Sequence, residues 1–199
     1  MSPPALVLAS TSRYRRELLA RLRMPFEVSS PDVDETPLPG ERPADLALRL
    51  AALKARAVAR RRPEAVVIGS DQAADLEGRI IGKPGTHDAA VAQLRAMSGQ
   101  VVTFQTAVAV ARPETGFERV ALVPVTVRFR SLSDTHIERY LRIEQPYDCA
   151  GSAKSEGLGI ALLERIDSDD PTALVGLPLI RTCALLREAG FEPLAHAFP

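Results

Sequence analysis

Two long stretches, Val101 to Ala111 and Val120 to Arg130, constrain this chain more than any other feature. Both are rich in Val, Thr and Phe, residues that suit a pleated, half-buried surface. Arg112 to Gly116 contains Pro and Gly and reads as the turn between them. A chain with such a pair is committed to a sheet. The apolar runs Leu6-Val7-Leu8-Ala9 and Val66-Val67-Ile68 read as buried strands of that sheet, and Ile160 to Ile166 as another, followed by a turn at Asp167 to Pro171.

Helices fall between the strands. Ser10-Thr11-Ser12 offers N-caps for a helix in which Leu18, Leu19 and Leu22 recur at helical spacing. Ser30 to Arg42 is rich in Pro, Asp and Glu and reads as a loop. Pro43 opens a second helix, with Leu46, Leu50, Leu53 and Ala57 as its apolar stripe. Asp71 to Arg79 resembles a hairpin turning at Glu77-Gly78. Helices are also expected over Thr86 to Met97, ended by Ser98-Gly99, over Ser133 to Arg142, capped by Ser133, and over Pro178 to Ala189, stopped by Gly190. Ala150 to Gly159 is a Gly- and Ser-rich loop. Strands and helices mix without strict alternation, so the class is α/β or α+β with a mixed sheet.

The 199 residues fit one sizeable domain or two small lobes sharing a cleft. No apolar run approaches the ~20 residues of a membrane span. Met1-Ser2-Pro3-Pro4 has no basic region, so no secretory leader is expected. The two cysteines, Cys149 and Cys183, form no disulfide framework, which points to a reducing cytoplasm. A formal net charge of zero argues against bulk binding to nucleic acid or anionic membrane. A phosphate site must then be a local cluster.

Such clusters are present. In Ser10-Thr11-Ser12-Arg13-Tyr14-Arg15-Arg16, three arginines crowd the start of a helix. The macrodipole disfavours cations there, so a polyanion held by hydroxyls, free N–H groups and guanidinium forks would explain them. A solvated basic face is the alternative. Val33-Asp34-Glu35-Thr36 is either surface solvation or a carboxylate contribution to a magnesium site. Asp71, in Gly69-Ser70-Asp71-Gln72, stands at the expected end of a buried strand, where α/β folds bind ligands. There it could take a proton from water or hold a metal, unless it is a plain turn residue. Lys54 lies beside a helical apolar stripe, and Lys83 sits in Gly82-Lys83-Pro84-Gly85, a rigid setting for a phosphate clamp. Cys149-Ala150-Gly151-Ser152-Ala153-Lys154-Ser155-Glu156-Gly157 allows close backbone approach to a ligand but lacks the Walker A spacing. Cys149 reads as a packed thiol, and His87, His136 and His196 show no ligand spacing.

The ordered set Leu8-Ala9-Ser10-Thr11-Ser12, Arg15-Arg16-Glu17-Leu18-Leu19, Val33-Asp34-Glu35, Lys54-Ala55, Ile68-Gly69-Ser70-Asp71, Gly82-Lys83-Pro84, Leu94, Ser98-Gly99 and Val175-Gly176-Leu177-Pro178 resembles the Maf-like nucleotide pyrophosphatase family, over about Leu6 to Gly190. The resemblance implies a single domain with an elongated mixed sheet flanked by helices, two lobes around a deep cleft, and a homodimer. It implies attack of water at the α-phosphorus and release of diphosphate with a divalent cation, Mg2+ or Mn2+. By position, Asp71 matches the general base, and Glu35 with Asp71 the metal-facing acids. Ser10, Arg15, Lys54 and Lys83 match the phosphate-facing set. Tyr14, Gln72 and Glu156 look like the branch acting on 7-methyl-GTP; the dTTP- and UTP-hydrolysing branch usually has Arg, Thr and Gln there. Relatives often have Pro where this chain has Arg13.

The chemistry is consistent with that branch. N7-methylation makes guanine cationic, and an aromatic face attracts a cation. Glu156 could accept from the N1–H and the N2 amino group together, Tyr14 could stack, and Gln72 could donate and accept at a remaining edge. Two rivals stand beside this expectation: a pyrophosphatase for other modified or pyrimidine triphosphates, and a non-catalytic nucleotide-binding regulator of cell division. An RNA-binding module is disfavoured by the charge balance and an aromatic content of 5%.

Overall fold

The computed structural model describes residues 4–198; most of the N-terminal stretch read above for a leader, residues 1–3, lies outside them. The chain builds one seven-stranded mixed sheet flanked by helices, the expected class. Strand β1 (Leu6–Ala9) is followed by α1 (Arg13–Ala20), whose N-cap is Ser12, and by β2 (Glu27–Ser29), which the sequence did not announce. Helix α2 (Pro43–Ala59) begins on its proline, and β3 (Val66–Leu76) turns through Glu77-Gly78 into β4 (Arg79–Ile81). Both turn residues have positive φ, 54° and 80°, as a two-residue hairpin of this twist requires. Then come α3 (His87–Met97), β5 (Val101–Arg112), β6 (Phe117–Phe129), α4 (Asp134–Glu144), β7 (Leu163–Asp167), α5 (Leu179–Glu188) and a short α6 (Pro193–His196). The strand expected over Ile160 to Ile166 is half correct. Leu158–Leu162 is a 3-10 turn, and only from Leu163 does the chain pair with β6. Among the described residues no helix is long and apolar enough to cross a membrane.

The strand order is β2-β1-β3-β5-β6-β7, with β4 paired to β3. β1 runs parallel to β2 and β3, and the remaining pairs are antiparallel. On one face Leu6, Leu8, Ile68 and Val108 pack with Leu18 and Leu19 of α1 and Leu185 and Leu186 of α5. On the other, Val7, Val67, Ala107 and Ala109 meet α2. Farther along, Phe104, Val125 and Val127 pack with α3 and α4 around Leu94, Met97, Ile137 and Leu141.

Helix α2 meets the sheet on a stripe different from the expected one. Ala47, Ala51, Ala55 and Val58 face the strands, whereas Leu46 and Leu50 form a smaller cluster with Ala73 at the rim. The reason is closeness. A Cβ on Gly69 would lie 2.6 Å from the Ala55 nitrogen and nearer still to the Ala51 carbonyl, so the helix backbone rests directly on β3. Only small side chains fit between them. Replacing Gly69 by Ala should therefore destabilise the fold by about 2–3 kcal/mol, the usual cost of forced overpacking. A lowered urea midpoint with an unchanged slope would show it.

Candidate active site

The parallel partner of β3 stops early. β1 pairs as far as Ala9 with Gly69, and β4 takes over only at Ala74 with Ile81. From Ser70 to Ala73 the edge of β3 therefore has no strand beside it, and a cleft of about 640 Å³ opens there. Asp71 was expected at a strand terminus. It lies instead in mid-strand, because β5 pairs with β3 continuously from Val67 to Asp75. The early end of β1, not the end of β3, exposes it. Ser10, Arg15, Lys54 and Lys83 line the cleft. Glu35 and Asp71 line it too, as do Tyr14, Gln72 and Glu156.

Strand alternation sends Asp71 to the α2 side, along with Val67 and Gly69. There Lys54 Nζ donates to Asp71 Oδ1 at 2.7 Å, with side chains only 4% and 9% exposed. Lys54 is thus deeper than its place beside a stripe suggested. The same ammonium meets Glu35 Oε1 at 2.8 Å. Partial burial pushes the Glu35 carboxyl up, but Lys54, then Lys83 and Arg15, outweigh it and hold it below the usual range. Asp71 Oδ2 accepts no hydrogen bond among the described residues.

Ser70 and Gln72 point to the opposite face. Ser70 Oγ donates to the carbonyls of Ala107 and Gly176, at 2.8 and 2.9 Å. Arg15 Nε donates to that same Gly176 carbonyl at 2.9 Å, which fixes the arginine and leaves its terminal nitrogens without a partner among the described residues. Ser10 Oγ accepts the Ser12 N–H at 3.1 Å, so its own proton is what it can offer. Lys83 is exposed and makes no ion pair among the described residues. Its loop is anchored by Gln93 Nε2 and the Gly151 N–H on the Gly82 carbonyl, and by the Gly85 N–H on the Tyr147 carbonyl.

Gln72 differs from expectation. Its Nε2 lies 2.8 Å from Thr106 Oγ1 and 3.0 Å from the Ala173 and Leu174 carbonyls, so its two N–H bonds are shared among three acceptors. Thr106 uses its own proton on Ala173, so the amide orientation is fixed. Gln72 can therefore only accept, through Oε1. The sequence reading missed Thr106 and quoted Gly176 only within Val175-Gly176-Leu177-Pro178, with no role of its own; both set these poses through contacts more than 30 residues away in the chain. It also did not single out Asp148. That residue sits beside Tyr14, whose hydroxyl is 3.3 Å from both Asp148 oxygens.

Of the three arginines of α1, Arg15 lies against Gly176, Arg13 turns toward Tyr14 and Asp148, and Arg16 is outside the cleft. Burial, together with Asp148 and Glu156, pushes the Cys149 thiol up to about 11 against the hydrogen bond with Tyr14. A raised pKa lowers the thiolate fraction that would make a cysteine nucleophilic. Glu156 rides on a loop clamped by Glu144, which receives Lys154 Nζ and the Leu158 N–H, each at 2.7 Å. Lys154 and that N–H hold the Glu144 carboxyl below its usual range. His87 is structural: its ring meets Tyr147 Oη at 2.9 Å and Glu138 at 3.2 Å.

Fold and cleft define an α/β protein with one cleft that brings together Ser10, Arg15, Lys54, Lys83, Glu35 and Asp71 with Tyr14, Gln72 and Glu156. A family model described as "Maf-like protein" matches residues 5–189. A 7-methyl-GTP pyrophosphatase of Polaromonas sp. (strain JS666 / ATCC BAA-500) is 72% identical over 93% of this chain and 84% of its own length. Another of that name from Albidiferax ferrireducens is 65% identical over 95% of both. A third, from Cupriavidus metallidurans, is 59% identical over 94% of both. The chain belongs to the Maf-like protein family.

Lys54→Ala would strand the Asp71 carboxylate in the interior. We expect a loss of about 3–5 kcal/mol at pH 8, the penalty for breaking a buried pair from one side. An unpaired buried carboxyl has a raised pKa, so part of that stability returns below the unfolded value and is lost again as pH rises. Urea unfolding at pH 4.5 and 8 measures the difference. An equal deficit at both would mean Asp71 is not the stranded charge.

Proposed function

We propose that this chain hydrolyses 7-methyl-GTP to 7-methyl-GMP and diphosphate. The observation that carries the reading is the meeting, in one cleft, of the Lys54–Asp71 pair with Arg15 and Lys83 at one part and Tyr14, Gln72 and Glu156 at another. Arg15, through its unengaged terminal nitrogens, and Lys83 hold the phosphates and offset charge gathering on the departing diphosphate. Ser10 donates its hydroxyl proton to a phosphate oxygen. Asp71 Oδ2, the unbonded oxygen, orients a water and accepts its proton as the oxygen bonds to the α-phosphorus. The bond from that phosphorus to the bridging oxygen breaks, and diphosphate leaves. Lys54, on Oδ1, keeps the carboxylate turned into the cleft.

The reading includes a divalent cation, Mg2+ or Mn2+. Glu35 and Asp71 fit such an ion, since hard cations of this kind are held by one or two carboxylates plus substrate phosphate oxygens. When bound, the ion supplies Lewis-acid polarisation of phosphate oxygen and water. Lys54, resting between the same two carboxylates, keeps them close before any ion arrives.

For the base, Tyr14 offers a face and Glu156 a carboxylate. The fixed Gln72 Oε1 adds one more acceptor, matching a guanine edge made of donors. That matching edge favours a guanine over the pyrimidines of dTTP and UTP. Unless a cation is bound there, a binder without turnover gains nothing from Asp71 next to phosphate; diphosphate release with added metal separates an enzyme from a regulator. The two free cysteines fit a cytoplasmic location, and a homodimer rests on the family resemblance.

Asp71→Asn leaves Lys54 paired with Glu35, so the protein should fold while kcat falls about 10²- to 10⁴-fold, the usual contribution of a general base. Near-normal turnover would remove Asp71 from that role. Comparison of kcat/KM should rank 7-methyl-GTP above GTP, dTTP and UTP, and Glu156→Gln should depress the methylated purine selectively. A lead for dTTP or UTP would defeat the substrate assignment.

A further inference from the structure

The aromatic face proposed for the base is already covered by a cation. The Arg13 guanidinium carbon lies 4.7 Å from the centre of the Tyr14 ring. Its Nη2 donates to the Tyr14 hydroxyl at 2.6 Å and stands 3.8 Å from Asp148 Oδ2. Among the described residues, Arg13 gains beyond Tyr14 and Asp148 only the nearby charge of Glu17 on its own helix. It occupies the first turn of α1, which contains no acid, and the helix dipole opposes its charge. Its side chain is 60% exposed and that of Asp148 56%, so each contact is weak and easily given up.

The chemistry of this arrangement is informative. A guanidinium is a planar N–C–N cation with donors in its plane and π faces above and below. The N1–C2–N2 edge of guanine is a cyclic guanidine, and N7-methylation gives the ring system the missing positive charge. The side chain of Arg13 is thus a small copy of a methylated guanine, resting on Tyr14 and facing Asp148. A neutral base that displaces it must leave Asp148 without a cation. A cationic base restores the pairing.

Resting on the 7-methyl-GTP reading, we propose that Arg13 is a resident surrogate for the cationic base, and that Asp148 is a specificity-determining residue that senses the base's positive charge. Glu156 reads the hydrogen-bonding edge, whereas Asp148 reads the charge. Displacing Arg13 costs a cationic and a neutral base alike, so Arg13 lowers both affinities while Asp148 sets the preference between them.

Competition by nucleosides isolates the base subsite, because they carry no phosphate. Inhibition constants for 7-methylguanosine and guanosine should be measured on the full protein and on Asp148→Asn and Arg13→Gln. Both side chains are more than half exposed, and urea midpoints would confirm that the variants fold. Asp148→Asn should reduce the preference for 7-methylguanosine over guanosine by about three- to five-fold, the size of one half-exposed charge contact. Arg13→Gln should tighten 7-methylguanosine by about two- to five-fold as the Tyr14 face is freed.

If the unaltered protein does not prefer 7-methylguanosine at all, the substrate assignment fails and this inference falls with it. If it does prefer it, and neither variant moves the constants, the inference alone is overturned. It is overturned equally if Arg13→Gln weakens triphosphates while leaving nucleosides untouched, for Arg13 would then be a phosphate ligand.

Discussion

One buried ammonium organises this molecule. Lys54 is on a helix, Asp71 on a strand and Glu35 on a loop, and both carboxylates lie within 2.8 Å of a single nitrogen. Two carboxylates beside one lysine leave a net negative charge at the base of a cleft whose rim carries Arg15 and Lys83. Lys54 and Asp71 are buried, which is unfavourable unless they are paired, so the fold is obliged to keep those two together, while Glu35 reaches the ammonium from the exposed rim. That obligation is what holds the Asp71 carboxylate in place.

The backbone makes the meeting possible. Lys54 can reach Asp71 because α2 lies almost on top of β3, and it lies there because Gly69, Ala51 and Ala55 have nothing large to separate them. The opposite face of β3 works through hydrogen bonds instead. Ser70, Gln72, Thr106 and Arg15 converge on the carbonyls of Ala173, Leu174 and Gly176 and set two cleft side chains in fixed poses. Packing arranges one wall of the site, and polar satisfaction arranges the other.

Much of this was legible in the sequence. The strands at Leu6 and Val66, the Ser12 cap, the Pro43 start and the Glu77-Gly78 turn follow from local chemistry, and the structure keeps them. The cleft-lining set was legible as an ordered group through its resemblance to a known family, although Lys54 lies in mid-helix and Asp71 and Gln72 in mid-strand. Three things were not. The stripe of α2 favoured leucines by count, whereas contact distance selects alanines. The place of Asp71 depends on where a different strand ends. The poses of Gln72 and Arg15, and the neighbourhood of Asp148, are settled by residues distant in the chain, for which local pattern has no signal.

The interruption along β3 has a further consequence. An unpaired strand edge ordinarily invites another chain to add a strand, the first step toward aggregation. Here β1 closes one side at Gly69 and β4 closes the other at Ala74. The gap between these two docks is shorter than an ordinary β-strand, which runs about five or six residues. Any added strand would be confined to the four residues Ser70 to Ala73. The two docks thereby leave only a short stretch of free edge as a template.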